Sequence, residues 1–299
     1  MRYDYVPLPD RKPLRWPNGA RVALILTINL EHWDMVKDSD EPYYAGGPPI
    51  LPDPMPGNVV DWPNYSWREY GQRVGVWRVI EAFDKAGVPA SCTVNGLYLK
   101  ERRRAIDAVK ERGWELVPHN WAQNDILTYY AHDPEGEREV IHRTLSMYED
   151  VVGKPAKGWL SSSLRPTERT VDVLREAGLI FFCDFLNDDQ PYLIHTGAGE
   201  MVCVPYSNDV NDFNMFARGG MTLDQGLAAL HEQFNRLYQE GGESMRIMNL
   251  GLHPHVIGQP YRIRALEEFL AYATSFDDVW FPKREEIAEW YLENHRDHI

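Results

Sequence analysis

Cysteine is scarce in this chain, and its placement excludes more than it suggests. Cys92, Cys183 and Cys203 stand singly in apolar runs, without metal-finger spacing, a pattern that suits buried thiols in a reducing compartment. No apolar run approaches membrane length, and no signal peptide precedes Arg2, Tyr3 and Asp4, so a cytoplasmic protein is expected. Positive charge is short as well: 31 Lys and Arg stand against 45 Asp and Glu, a formal net charge of -14. That balance argues against nucleic acid or an anionic membrane surface as partner, while leaving the charge of a local pocket open. A G-x-S-x-G elbow is missing, and so is a cysteine in a reactive setting. What is present is ample core material, 43% hydrophobic and 12% aromatic over 299 residues, so disorder is not a serious reading.

The order of patterns along the chain gives the fold class. Residues 1–19 are rich in proline and charge and read as an extended arm, packed on the body or on a neighbouring subunit. RVALILTINL at 21–30 is an unbroken apolar run of strand length, as expected of a parallel strand buried on both faces. A long loop insertion follows at about 32–68, dense in Pro, Gly, Asp and aromatics, and reads as a lid or binding loop. From there helices at 70–86, 97–112, 133–152, 167–177, 222–241, 261–275 and 284–294 alternate with strands. The strands fall at 89–94, 115–118, 157–160, 180–183, 202–205, 245–252 and 279–281. About eight strands, nearly all followed by a helix, predict an α/β protein, a distorted (β/α) barrel of TIM-like form with seven to eight strands in one domain over 1–299. A doubly wound open sheet is the alternative; it needs a glycine-rich phosphate turn after an early strand, and residues 27–31 do not supply one.

In such folds the C-terminal strand ends build the active site. Here they carry Asn29 and Glu31, His119, Asp184 with Asp188 and Asp189, Asp209 and Asp212, and His253 with His255, whereas the N-terminal ends carry little besides arginine and glycine. One strand-end histidine alone is more often a hydrogen-bonded loop residue; the asymmetry between the two mouths is what favours an enzyme. The available chemistry is carboxylate plus imidazole. Without a protein nucleophile, it points to water activated by a carboxylate or a metal, with a histidine protonating the leaving group. Hydrolysis of a C–N bond, whose nitrogen must leave protonated, is the natural fit.

Several stretches together are similar to the polysaccharide deacetylase superfamily: TINLE at 27–31, YGQRVGVWR at 70–78, ELVPHNW at 115–121, Gly158 and Trp159, CDFLNDDQPY at 183–192, VPYSNDVND at 204–212 and HPHVIGQPYR at 253–262. The branch resembled is that of allantoinase-like and cyclic-imide-hydrolase-like members, over residues of about 21–291. The resemblance implies a distorted (β/α) barrel, an intracellular hydrolase of non-peptide C–N bonds and often a homo-oligomer, dimer or tetramer. In sugar-deacetylating members an aspartate base works beside a metal held by a second aspartate and two histidines four apart. Here Asn29 stands at the base position, Glu31 at the metal-aspartate position, His119 at the first histidine and Gln123 at the second.

These departures shape the expected site. An amide is no general base, so Asn29 is expected to orient substrate or water. Zinc held by Glu31, His119 and Gln123 stays an open alternative, although amide oxygen is a weak zinc ligand; no other cofactor is expected. The catalytic groups expected are Glu31 and His119, which position and activate water, and His253, which protonates the departing nitrogen. Asn29, Trp121, Gln123, Asp189 and Asp212 are expected to shape the pocket, with His255 ranked behind them because adjacent strand-end histidines are often structural. The substrate class that follows is a small cyclic amide, imide or ureide. An N-deacetylase or deformylase of an acylated amine or amino sugar is the alternative, and a non-catalytic binding protein on the same scaffold the third reading.

Overall fold

The computed structural model describes residues 2–35 and 61–298; most of the loop insertion expected at about 32–68 therefore lies outside the described residues. Strand β1 (Val22–Leu30) is buried at all nine positions, as its unbroken apolar run requires. It pairs in parallel with β2 (Ser91–Val94) on one side and β8 (Arg246–Leu252) on the other, and β2 pairs with β3 (Glu115–Pro118). The short β9 (Val279–Trp280) meets β1 at Val22 and Ala23. A second sheet runs β4 (Gly158–Trp159), β5 (Phe181–Phe182), β7 (Gly199–Cys203) and β6 (Tyr192–Thr196).

Single contacts join the two sheets into a ring. Leu160 N–H donates to Pro118 O at 3.2 Å, carrying β4 onto β3. On the far side a parallel bridge between Asn211 and Gly251 carries the β7 end onto β8. The outcome is a distorted parallel barrel, in agreement with the expected fold class. It differs in one element: β6 pairs antiparallel with β7 in a hairpin. Strand β6 lies outside the expected set, because exposed His195 and polar Thr196 cut its apolar stretch to residues 192–194, whereas β7 overlaps the strand predicted at 202–205.

Helices cover the outside. Helix α1 (Trp62–Tyr70) is capped by the Asp61 side chain accepting from Asn64 N–H, and a π-turn (Gly71–Gly75) leads into α2 (Val76–Ala86). The expected helix at 97–112 is two, α3 (Gly96–Glu101) and α4 (Arg103–Glu111), broken at Arg102 with φ -118° and ψ 44°. There the Arg102 side chain reaches back to Gln72 at 2.6 Å. Helices α5 (Pro134–Val152), α6 (Thr170–Glu176), α7 (Leu223–Glu240), α8 (Ile263–Ala273) and α9 (Arg284–Asn294) complete the layer. Buried faces of α2, α7 and α8 pack on β1 and β8 through Phe83, Phe234 and Phe269, each such side chain stabilising by about 1.5–3 kcal/mol.

The N-terminal arm is tied down on the body. Trp16 is buried and donates its indole N–H to Arg246 O at 2.9 Å, and Arg11 pairs with Asp188 at 2.6 Å. Among the described residues, no helix is long and apolar enough to cross a membrane.

Candidate active site

The strand ends of β1, β3 and β8 bring Glu31, His119 and His253 together at one mouth. Glu31 Oε1 lies between the two imidazoles, 3.7 Å from His119 Nε2 and 3.6 Å from His253 Nε2. All three line one cavity of about 510 Å³ with Asn29, Gln123 and Tyr206. His119 Nδ1 is 2.6 Å from Leu160 O. A carbonyl only accepts, so the ring proton sits on Nδ1 and, in the neutral ring, the Nε2 lone pair faces Glu31. The same crossing that joins the two sheets thus sets this tautomer.

His253 is held by Asp212. Its Nδ1 lies 2.6 Å from Asp212 Oδ1, while Asp212 Oδ2 accepts from the backbone N–H of His253 at 2.7 Å and of Ile257 at 3.1 Å. Burial alone would lower the His253 pKa, but the carboxylates of Glu31 and Asp212 outweigh it and raise it. Glu31 shifts the other way. Burial favours its neutral form, yet the His253 charge and the contacts with both rings hold it well below the usual carboxylate range. At neutral pH the pair is therefore a carboxylate facing an imidazolium.

Two glycine motifs fix the His253 loop. A Cβ on Gly75 would come within 2.0 Å of Pro254 O, and one on Gly258 within 2.5 Å of Gly75 Cα. The YGQRVG and HPHVIG stretches are thus two halves of one close backbone approach. A Cβ on Gly71 would likewise meet His255 N at 2.6 Å.

The remaining expected residues divide. Gln123 lines the cavity with a buried Oε1 that has no hydrogen-bond partner among the described residues. Asn29 also lines it, but its side chain is committed: Oδ1 accepts from Thr93 Oγ1 at 2.8 Å, and Nδ2 donates to Leu252 O and Tyr206 Oη at 3.2 Å each. Asp212 acts behind His253. Trp121 packs against Gly96 under the Arg143 guanidinium, 3.5 Å from its ring, and does not line the cavity. His255 is buried in a box of Trp33, Trp67 and Phe213, where burial first and His253 second push its pKa well down, so it is neutral. Asp189 lines a separate cavity of about 260 Å³ beside Asp188, Asp209 and Asn249. It is not brought to Glu31.

Tyr206 is the residue that sequence reasoning did not single out. Its Oη accepts from Asn29 Nδ2 at 3.2 Å and from Asn211 Nδ2 at 3.1 Å. Both amide orientations are fixed, because Leu252 O can only accept and Phe213 N–H, which reaches Asn211 Oδ1 at 3.0 Å, can only donate. With both acceptor positions filled, the phenol keeps its own proton for the cavity it lines. Gly251 makes room for it, since a Cβ there would lie 2.3 Å from Tyr206 Oη.

The donor set fits a resident zinc poorly. Glu31, His119 and Gln123 offer one carboxylate, one imidazole and one amide oxygen, and no group of three His, Cys, Asp or Glu among the described residues is arranged to hold a metal. The unpartnered Gln123 oxygen suits a substrate N–H instead.

Comparison with known proteins adds to this geometry. No family model matches the chain. A curated Schizosaccharomyces pombe protein named for the polysaccharide deacetylases is 28% identical over 94% of this chain and 93% of its own length. The crystal structure of a probable polysaccharide deacetylase from Pseudomonas aeruginosa PAO1 superposes with a TM-score of 0.85 at 28% identity, covering 94% of each chain. The structure of PuuE allantoinase gives 0.86 at 28% identity, covering 95% of each. The resemblance to the polysaccharide deacetylase superfamily, with an allantoinase among the similar structures, is thus borne out.

Proposed function

We propose that this chain is a polysaccharide deacetylase-type hydrolase that opens a C–N bond in a small cyclic amide, imide or ureide. The observation that carries the reading is Glu31 Oε1 placed between two imidazole nitrogens at 3.7 and 3.6 Å. Those gaps exceed a hydrogen bond and suit a bridging water. A water there donates one hydrogen to Glu31 and the other to the His119 Nε2 lone pair, leaving an oxygen lone pair for a carbonyl carbon. Because Glu31 is a weak base, His119 takes the proton as the C–O bond forms, and Glu31 holds the water and balances the His253 charge. Tyr206 O–H donates to the carbonyl oxygen as charge develops on it. When the C–N bond breaks, the electron pair goes to nitrogen and His253 Nε2–H supplies the proton. Gln123 Oε1 accepts the substrate's other N–H.

Support for a ring-opening substrate comes from the PuuE allantoinase similarity; the relatives named as deacetylases make N-deacetylation the competing reading. Both are distinguished by screening purified protein with cyclic imides, ureides and N-acyl amines, following ring opening in a pH-stat and deacylation by a colorimetric assay of the liberated amine, because carboxylate and ammonium released together leave no net proton. Ring opening of an imide or ureide releases acid and is expected to consume alkali. Turnover confined to N-acyl amines supports the competitor, and binding without any turnover refutes an enzyme.

A further inference from the structure

We propose that the substrate carries a carboxylate or equivalent anionic group, held at the cavity mouth between Arg165 and Arg218; this rests on the hydrolytic reading above and deepens it. The chain's net charge is -14, yet among the described residues the cavity is lined by two arginines and by a single acid, Glu31. Glu31 is buried beside His119 and His253, so its charge is already answered inside the site. Among the described residues no other carboxylate lines the cavity beside the two arginines.

The local structure restrains the two segments that carry them. Arg218 ends a π-turn (Phe213–Arg218) whose first residue follows Asp212. Its guanidinium lies 5.5 Å from the Phe213 ring centre and donates to Asn214 Oδ1 at 3.2 Å. Asn214 is itself anchored, donating to Asn208 O at 2.7 Å. Arg165, which lines the same cavity, follows Ser163 and Leu164, both in the left-handed region at φ 58° and 54°. Two successive non-glycine residues there cost energy, and such strain clusters where a loop must present a ligand group. A cavity of about 510 Å³ leaves room beyond a five- or six-membered ring at Glu31, and an anionic substituent reaching the mouth would fill it.

The test compares hydantoin-5-acetic acid with its methyl ester, by calorimetric binding and by turnover on the same protein. The acid is expected to bind about tenfold more tightly than the ester, a gap that shrinks in high salt. In Arg165→Gln and Arg218→Gln variants of unchanged thermal midpoint, that ratio should move towards one. Equal affinity for acid and ester, no binding of either, or a ratio unaltered in both variants overturns the anionic substrate. Preferential binding of the acid without turnover keeps the anion site and defeats the hydrolytic reading instead.

Discussion

The floor and the mouth of the barrel both bury charge, and they treat it in opposite ways. At the floor Arg284 is fully buried and reaches Ser91 Oγ at 2.9 Å and Thr27 Oγ1 and Asn249 Oδ1 at 2.6 Å each. Glu115 accepts from the backbone N–H groups of Arg284 and Glu285 at 2.8 and 2.9 Å and from the Ser91 hydroxyl. At the mouth, Glu31 stands beyond hydrogen-bond distance from its imidazoles, Gln123 Oε1 has no described partner, and the Tyr206 proton is unspent. Buried charge alone therefore does not mark a site. Spare bonding capacity alone does not mark one either, since Arg284 Nε and Asn249 Nδ2 at the floor also lack partners among the described residues. What distinguishes the mouth is that the free capacity of Glu31, Gln123 and Tyr206 converges on one cavity of about 510 Å³.

Substitutions at the two ends should separate these roles. His253→Ala is expected to cut turnover by about two to four orders of magnitude while the protein stays folded; near-normal turnover removes His253 as the acid. In the wild type the raised His253 pKa keeps the acid protonated at neutral pH, so turnover should fall as pH rises through about 10. The stability contributed by that charge follows the same sign. It is present in full below the ordinary value of 6.5 and lost as pH climbs through about 10, and the His253→Ala variant should lack that dependence in denaturant titrations. At the floor, Arg284→Met strips the guanidinium from Ser91, Thr27 and Asn249 and removes the positive charge that favours ionised Glu115 nearby; it should cost about 3–5 kcal/mol of unfolding free energy, with a much smaller effect on turnover per folded molecule. A larger loss of turnover than of stability would merge floor and mouth into one functional network. The smallest effect belongs to Tyr206→Phe, which removes one donor and should lower kcat by about a hundredfold with KM little changed; an unaltered kcat shows that the phenol proton is not used.

Much of the scaffold was legible because burial on both faces writes itself as apolar runs: β1, β3 and β8 fall where residues 21–30, 115–118 and 245–252 predict them. Glu31, His119 and His253 were legible for the same reason, each standing just past the end of such a run. Strand β6 was hidden because only its first three residues are apolar, while β7 overlaps the run predicted at 202–205. Tyr206 had no signal of its own, since its role arises from amides 177 positions before and 5 positions after it along the chain. Asp189 misled because it neighbours a strand end in sequence while facing a different cavity. The expectation that the N-terminal mouth carries little was incomplete too: Ser91, Glu115 and Arg284 build a polar floor whose members are scattered in sequence.

The contact of Gly75 with Gly258 carries a lesson for anyone reshaping this scaffold. Neither glycine borders the cavity, so a mutant library drawn by distance from substrate would treat both as free positions. Yet any side chain at Gly75 must push Pro254 aside, and Pro254 adjoins the proposed proton donor. Retargeting the pocket would proceed more safely by varying the rim while leaving this hidden hinge-pin of bare backbone untouched.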